Sequence, residues 1–219
     1  MDSDNSDALF VVQARYGSER LPGKVLKDLS YGLNVMNVLQ RVLPVDTVWA
    51  VPDCDKGQFE ILISRSMWYG EEDNVLRRLQ EAAGAYVKTS HKYIVRICAD
   101  NAFLSEDLIG RVLAWARHYD QPYTNNEFDP KGCFIEVIDR EAFFDIDESN
   151  HLNIEHVTAS LRAKPFKSIP PMYPFPKDFS MALDTPADLA RIRGVFAMRG
   201  DGLPTIHTLY RLWLAKELA

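Results

Sequence analysis

The sequence predicts an α/β fold, a three-layer sandwich built on a mostly parallel, doubly wound sheet. Two observations carry that prediction. Short, mostly apolar runs recur at residues 8–12, 47–51 and 93–99, and strands buried on both faces read this way. Between them lie segments with apolar residues at helical spacing, and strands alternating with helices imply parallel pairing through crossovers. A chain of 219 residues is long enough to bury one sizeable core. The expected organisation is therefore one domain over 1–219, with a first half at 8–120 and a second at 121–219.

The first run, Ala8 to Val12, opens onto a loop rich in glycine and cations. Val35, Val38, Leu39 and Val42 then mark a helix over 34–42. The second strand, 47–51, ends at Pro52-Asp53; a helix over 59–63 and a brief strand at Trp68-Tyr69 follow. Gly70-Glu71-Glu72-Asp73-Asn74 leads into a helix over 75–83, and the strand 93–99 stops at Asp100-Asn101. Ser105 is placed to cap a helix over 106–119 whose Leu108, Ile109, Val112, Leu113 and Ala116 form a core face. Beyond Tyr123 the alternation changes. Residues 132–138 read as strand, 141–144 as a short helix and 151–161 as a helix with a polar start. The proline-rich stretch 165–176 should be irregular or an edge. Residues 180–183 read as a last strand, Pro186 as the start of a helix to Met198, and Thr205 as the cap of an amphipathic helix through Leu218.

The net charge of −6 argues against a nucleic-acid polymer as partner, which needs a basic stripe. No apolar run approaches the ~20 residues that span a bilayer, and the acidic, polar first seven residues are unlike a signal peptide. Neither a membrane partner nor export is expected; a cytoplasmic location is. Cys54, Cys98 and Cys133 show no C-x-x-C spacing and read as buried, reduced thiols.

Against this acidic background the loop Ala14-Arg15-Tyr16-Gly17-Ser18-Glu19-Arg20-Leu21-Pro22-Gly23-Lys24 stands apart. Glycines let backbone N–H groups approach an anion, and Arg and Lys neutralise its charge. A loop at the carboxyl end of a first strand is where α/β folds hold nucleotide phosphates. It is neither a Walker A loop nor a dinucleotide fingerprint, and without its cations it would read as a surface turn. Asp100 and Asp184 each follow an apolar run, so they share the rim of an open sheet and can meet over one ligand. Two hard carboxylates with substrate phosphates and water suit Mg²⁺; a turn or cap role is the alternative for each. Arg96 lies within a strand and needs a partner, for which Asp100 or a ligand phosphate is available. Arg77, Arg78, Arg191 and Arg193 read as solvated helix faces. Glu155 and His156 stand at a helix start, where a metal ligand or general base is one reading and a structural histidine the commoner one. Asn125 and Glu136 stand in polar stretches that either line a substrate pocket or are incidental.

The loop resembles the N-terminal signature of cytidylyltransferases, in particular the group named after spore coat polysaccharide biosynthesis protein F, which is similar to the enzymes activating keto-deoxy-octulosonate and acylneuraminate. The resemblance runs from about Leu9 to Val195. It rests on Gln13 through Leu26, Gly70-Glu71-Glu72-Asp73-Asn74-Val75-Leu76, Val95-Arg96-Ile97-Cys98-Ala99-Asp100, Pro130 through Val137, Glu155-His156-Val157-Thr158 and Leu183-Asp184-Thr185-Pro186-Ala187-Asp188-Leu189. It implies a nucleotide-diphospho-sugar transferase (glycosyltransferase-A-like) fold and Mg²⁺-dependent transfer of CMP from CTP to a sugar or phosphorylated small molecule in polysaccharide biosynthesis. Carried across, Lys24, Arg15 and Asp100 would be catalytic. Ala14, Arg15, Gly17, Ser18, Arg20, Lys24, Asn74 and Arg96 would bind the nucleotide, Asn125, Glu136, Glu155 and His156 the acceptor, and Asp100 and Asp184 the metal. A homodimer through the C-terminal region is compatible with this. Two segments depart from the family: Asn101-Ala102 replaces a small residue and proline, and Ala50-Val51-Pro52-Asp53 stands where Ala-Thr is followed by a polar loop. A glycosyltransferase of the same fold and a non-catalytic nucleotide-binding protein are the other readings.

Overall fold

A computed structural model of the chain describes residues 6–60, 66–198 and 202–215. In chain order the elements are β1 (Ala8–Gln13), α1 (Val35–Val42), β2 (Val48–Pro52), α2 (Lys56–Phe59), β3 (Met67–Gly70), α3 (Val75–Tyr86), β4 (Tyr93–Cys98), α4 (Glu106–Tyr119), β5 (Tyr123–Asn125), β6 (Glu136–Asp139), α5 (Arg140–Phe144), α6 (His151–His156), α7 (Ala159–Arg162), α8 (Pro186–Met198) and α9 (Ile206–Leu214). Six strands form one sheet in the order β3-β2-β1-β4-β6-β5. The first four run parallel; β6 runs against β4, and β5 against β6.

Alternation along the strands divides the core into two layers. Phe10, Val12, Trp49 and Val95 point to one face, where α1, α4, α8 and α9 pack. Leu9, Val11, Ala50 and Ile94 point to the other, covered by α3, α5 and α7. Local chemistry sets the helix starts. Asn34 and Asn37 cap each other reciprocally at α1. The Ser105 hydroxyl accepts from Leu108 N at α4, whose first turn carries Glu106 and Asp107 and whose last turn Arg117 and His118, matching the helix dipole at both ends.

Three sequence expectations change. The helix expected over 151–161 is two: the chain breaks at Val157, at φ 25°, a conformation costly for a β-branched residue, and Thr158 turns inward. The expected strand 180–183 makes only a single bridge, Ser180 to Lys131; its apolar residues Met181 and Leu183 are fully buried because they face the core, not because they join a ladder. Residues 132–135 are likewise turn and irregular backbone, and the strand begins only at Glu136. Residues 61–63 of the expected helix and 216–218 of the last one lie outside the described residues. Cys54 is exposed, against expectation, while Cys133 is buried and all three thiols are free. Among the described residues no helix is long and apolar enough to cross a membrane.

Buried His91 gives the fold a pH dependence. It is 3% exposed, and its Nδ1 accepts from Lys88 N at 3.1 Å, which requires an unprotonated nitrogen. Burial first, then the Lys88 charge, lower its pKa below 6.5. The unfolded chain then binds the extra proton more readily, so the stabilisation is present above about pH 6.5 and is lost as pH falls from there through the lower folded pKa. Urea midpoints of the wild type should fall between pH 7.5 and 5.5, at up to about 1.4 kcal/mol per pH unit. His91→Gln should flatten that slope.

Candidate active site

Because β1 and β4 are parallel with Gln13 opposite Cys98, the loops after them leave one rim of the sheet together. The antiparallel β6 starts at the same rim, with Glu136 opposite Arg96. The loop after β1 is closed by Gly23 N donating to Tyr16 O at 3.0 Å. Gly23 sits at φ +65°, and a Cβ there would lie 2.9 Å from the Tyr16 ring. Gly17 by contrast has room for a side chain, its nearest contact being Glu72 Oε1 at 3.5 Å. The glycine this loop needs sterically is therefore Gly23. Gly23→Ala should cost about 1–3 kcal/mol, as left-handed backbone does outside glycine, read as a shift in urea midpoint.

Gly23 delivers Lys24, 9% exposed, to the centre of the rim. Its Nζ donates to Asp100 Oδ2 at 3.1 Å and to Asp184 Oδ1 at 2.9 Å. Arg20 Nη2 lies 3.2 Å from the same Asp184 oxygen. The two aspartates thus meet across one ammonium, although only Asp100 follows a strand; Asp184 arrives from a segment that makes a single bridge. Burial works to lower the Lys24 pKa, but the Asp100 and Asp184 carboxylates outweigh it and raise it. For Asp184, burial acts upward, while Lys24 and then Arg20 hold the carboxyl below its usual range. Asp184 does not cap α8; Thr185 does, its Oγ1 accepting from Asp188 N at 3.2 Å while Asp188 Oδ2 accepts from Thr185 N at 2.8 Å.

The other expected site residues divide. Ala14 is buried beneath the loop, Arg15 and Gly17 are exposed and Ser18 is half-buried. Asn74 caps α3, accepting from Arg77 N at 2.9 Å, and donates to Glu148 at 3.2 Å. Arg96 is paired with neither Asp100 nor an open anion position: it forms an ion pair with Glu136 and donates to Gln13 Oε1 at 2.6 Å. Glu136 is 1% exposed and also accepts from Tyr123 Oη at 2.5 Å and Thr158 Oγ1 at 2.6 Å. Rather than lining an open pocket, it anchors a buried network. Asn125 belongs to the same network, donating to Tyr123 Oη at 3.0 Å. Glu155 and His156 lie exposed on α6.

The comparisons with known proteins agree with this geometry. Residues 9–185 match the family model described as cytidylyltransferase. The chain belongs to the cytidylyltransferase family. It is 28% identical over 220 residues to the spore coat polysaccharide biosynthesis protein SpsF of Bacillus subtilis (strain 168), covering 90% of this chain and 89% of that one. Among solved structures, a cytidylyltransferase from Leptospira borgpetersenii superposes with TM-score 0.82 at 17% identity, over 97% of this chain and 96% of that one. A CMP:2-keto-3-deoxy-manno-octonic acid synthetase solved with CTP superposes with TM-score 0.64 at 16% identity, over 89% and 100%. The fold is that of the nucleotide-diphospho-sugar transferases.

In this cytidylyltransferase, sequence reasoning missed a support of the cationic loop and a support of the loop that precedes α3. Asp55, 6% exposed, accepts from Tyr16 N through Oδ2 at 2.6 Å. Arg78, expected on a solvated face, is 1% exposed; its Nη1 donates to the carbonyls of Glu71 and Glu72, and burial and then Arg15 lower its pKa. Helical spacing could have found Arg78, which falls among Leu76, Leu79 and Ala82 near the buried stripe of α3.

Proposed function

We propose that this protein transfers CMP from CTP to the oxygen of a sugar or phosphorylated small molecule, releasing pyrophosphate, with a divalent cation held by Asp100 and Asp184. One observation carries the reading: two carboxylates from remote segments converge on the Lys24 ammonium at the mouth of a cationic loop. The donor set fits a hard cation. It consists of carboxylate oxygens and leaves phosphate and water to complete the shell; among the described residues no cluster of three or more His, Cys, Asp and Glu forms a closed cage. Mg²⁺ is the cation this chemistry favours.

In the reaction, the acceptor oxygen forms a bond to the α-phosphorus of CTP while the bond from that phosphorus to the bridging oxygen of pyrophosphate breaks. The acceptor proton leaves to solvent or to a rim carboxylate. Such a transfer depends on positioning and charge compensation. When bound, the cation supplies Lewis-acid polarisation of the α-phosphate. Lys24 now occupies the position between the carboxylates where a cation belongs. As nucleotide enters, its ammonium is placed to exchange Asp100 and Asp184 for phosphate oxygens, and Arg15 and Arg20 to stabilise the charge developing on pyrophosphate.

Pyrophosphate release measured with each of the four nucleoside triphosphates, Mg²⁺, and a panel of acidic sugars and phosphate esters tests this. CTP-selective release that requires acceptor supports it. Nucleoside diphosphate released from a nucleotide sugar would instead establish the glycosyltransferase, and CTP binding without turnover across the panel a non-catalytic protein.

A further inference from the structure

Between the Asp100 turn and the Asp184 segment lies a piece of chain that touches both. Asn101, 3% exposed, clasps the Asp100 turn from within: its Nδ2 donates to Cys98 O at 2.9 Å, and its Oδ1 accepts from Phe134 N at 2.9 Å. Phe103 N donates to Gly132 O at 3.1 Å, and Met181 N to Lys131 O at 2.8 Å. Gly132, at φ +96°, lies so close to Met181 that a Cβ would collide with the Met181 carbonyl. A second buried asparagine holds the same piece from behind, Asn126 Oδ1 accepting from Ile135 N at 2.8 Å and Nδ2 donating to Cys133 O at 2.9 Å.

We propose that residues 131–135 form a strut that fixes the separation of the Asp100 and Asp184 carboxylates, with Asn101 and Gly132 as its positioning residues. The inference rests on the reading of those aspartates as cation ligands. A cation bridging two carboxylates from segments not hydrogen-bonded to each other needs their spacing set by something else. Residues 131–135 are irregular backbone that the sheet ladder does not hold, yet side-chain and backbone bonds tie them to both arms. Asn101 stands where the family resemblance expects a small residue ahead of proline, so the clasp on Phe134 N is a feature of this chain's own sequence. Partners that orient cation ligands typically change affinity 10–100-fold when removed.

The test is Mn²⁺ binding to the protein–CTP complex, read by the EPR signal of the ion, alongside CTP binding in EDTA. Asn101→Ala and Gly132→Ala attack opposite ends of the strut, and each should weaken Mn²⁺ binding ~10-fold or more while leaving CTP affinity in EDTA within about twofold. Lys131→Ala should change neither, since only the Lys131 carbonyl is used. Asn101→Ser, with the same expected direction, replaces Asn101→Ala if the latter fails to melt cooperatively. Wild-type Mn²⁺ affinity in a folded variant at either end overturns the strut alone, as does an equal loss of CTP affinity in EDTA. If the wild-type complex takes up no Mn²⁺, the cation reading falls and the strut with it.

Discussion

Lys24→Met should lower pyrophosphate release by ~10²-fold or more, the usual effect of removing one preorganised electrostatic contact. The structure adds an opposite expectation for the nucleotide-free protein. Lys24 Nζ holds Asp100 and Asp184 at 3.1 and 2.9 Å, so a divalent cation entering alone must displace a bound ammonium. Methionine has similar length and no charge; it leaves the two carboxylates with only the exposed Arg20 on Asp184 to compensate them, which favours cation uptake. Mn²⁺ binding without CTP, followed by EPR, should therefore tighten in Lys24→Met as turnover collapses. Unchanged Mn²⁺ affinity together with near wild-type turnover would remove Lys24 from the mechanism. Arg20, also on Asp184 but with a 67% exposed side chain, should show both effects in weaker form because solvent screens it.

Glu136→Gln is expected to be the most destabilising single substitution discussed. It keeps an oxygen for Tyr123 and Thr158 but leaves the Arg96 guanidinium buried without a carboxylate. Breaking a buried pair from one side costs about 3–5 kcal/mol, visible as a large fall in urea midpoint. Glu136→Leu combined with Arg96→Met removes both charges and should recover much of the loss, whereas independent sites would add. Acid adds a further signature. Burial pushes the Glu136 carboxyl upward, but Arg96, Thr158 and Tyr123 outweigh it and hold its pKa below 4.5. Its contribution is present above that value and disappears as pH falls through the depressed folded pKa. The Gln variant should lack this acid-dependent component. A midpoint unaffected by Glu136→Gln would mean the pair contributes little.

What could be read from the sequence was what repeats or clusters along it. Apolar runs located β1, β2 and β4 because a strand covered on both faces has few polar positions to disguise it. The place of Asp100 was legible because parallel strands deliver their ends to a common rim. Asp184 reaches it from a segment that joins no ladder, so strand-end placement accounts for one aspartate and not for the other. Long-range pairing was not legible. Arg96 and Glu136 meet only because β6 reverses against β4, and strand direction leaves no trace in local composition. Val157 breaks a helix whose spacing is otherwise intact; its conformation comes from burying Val157 while presenting Thr158 to Glu136, which is tertiary. Gly17 and Gly23 look alike in sequence, and only the Tyr16 ring distinguishes them.

The reversal of the last two strands has an evolutionary consequence. Each parallel strand is committed to its neighbour through a crossover, whereas the excursion between β5 and β6 returns beside them directly. Variation there leaves the crossovers alone but reaches residues 131–135, which are bonded to both the Asp100 turn and the Met181 segment. Under the proposed reading, sequence drift in this one excursion would tell first on cation affinity rather than on the fold.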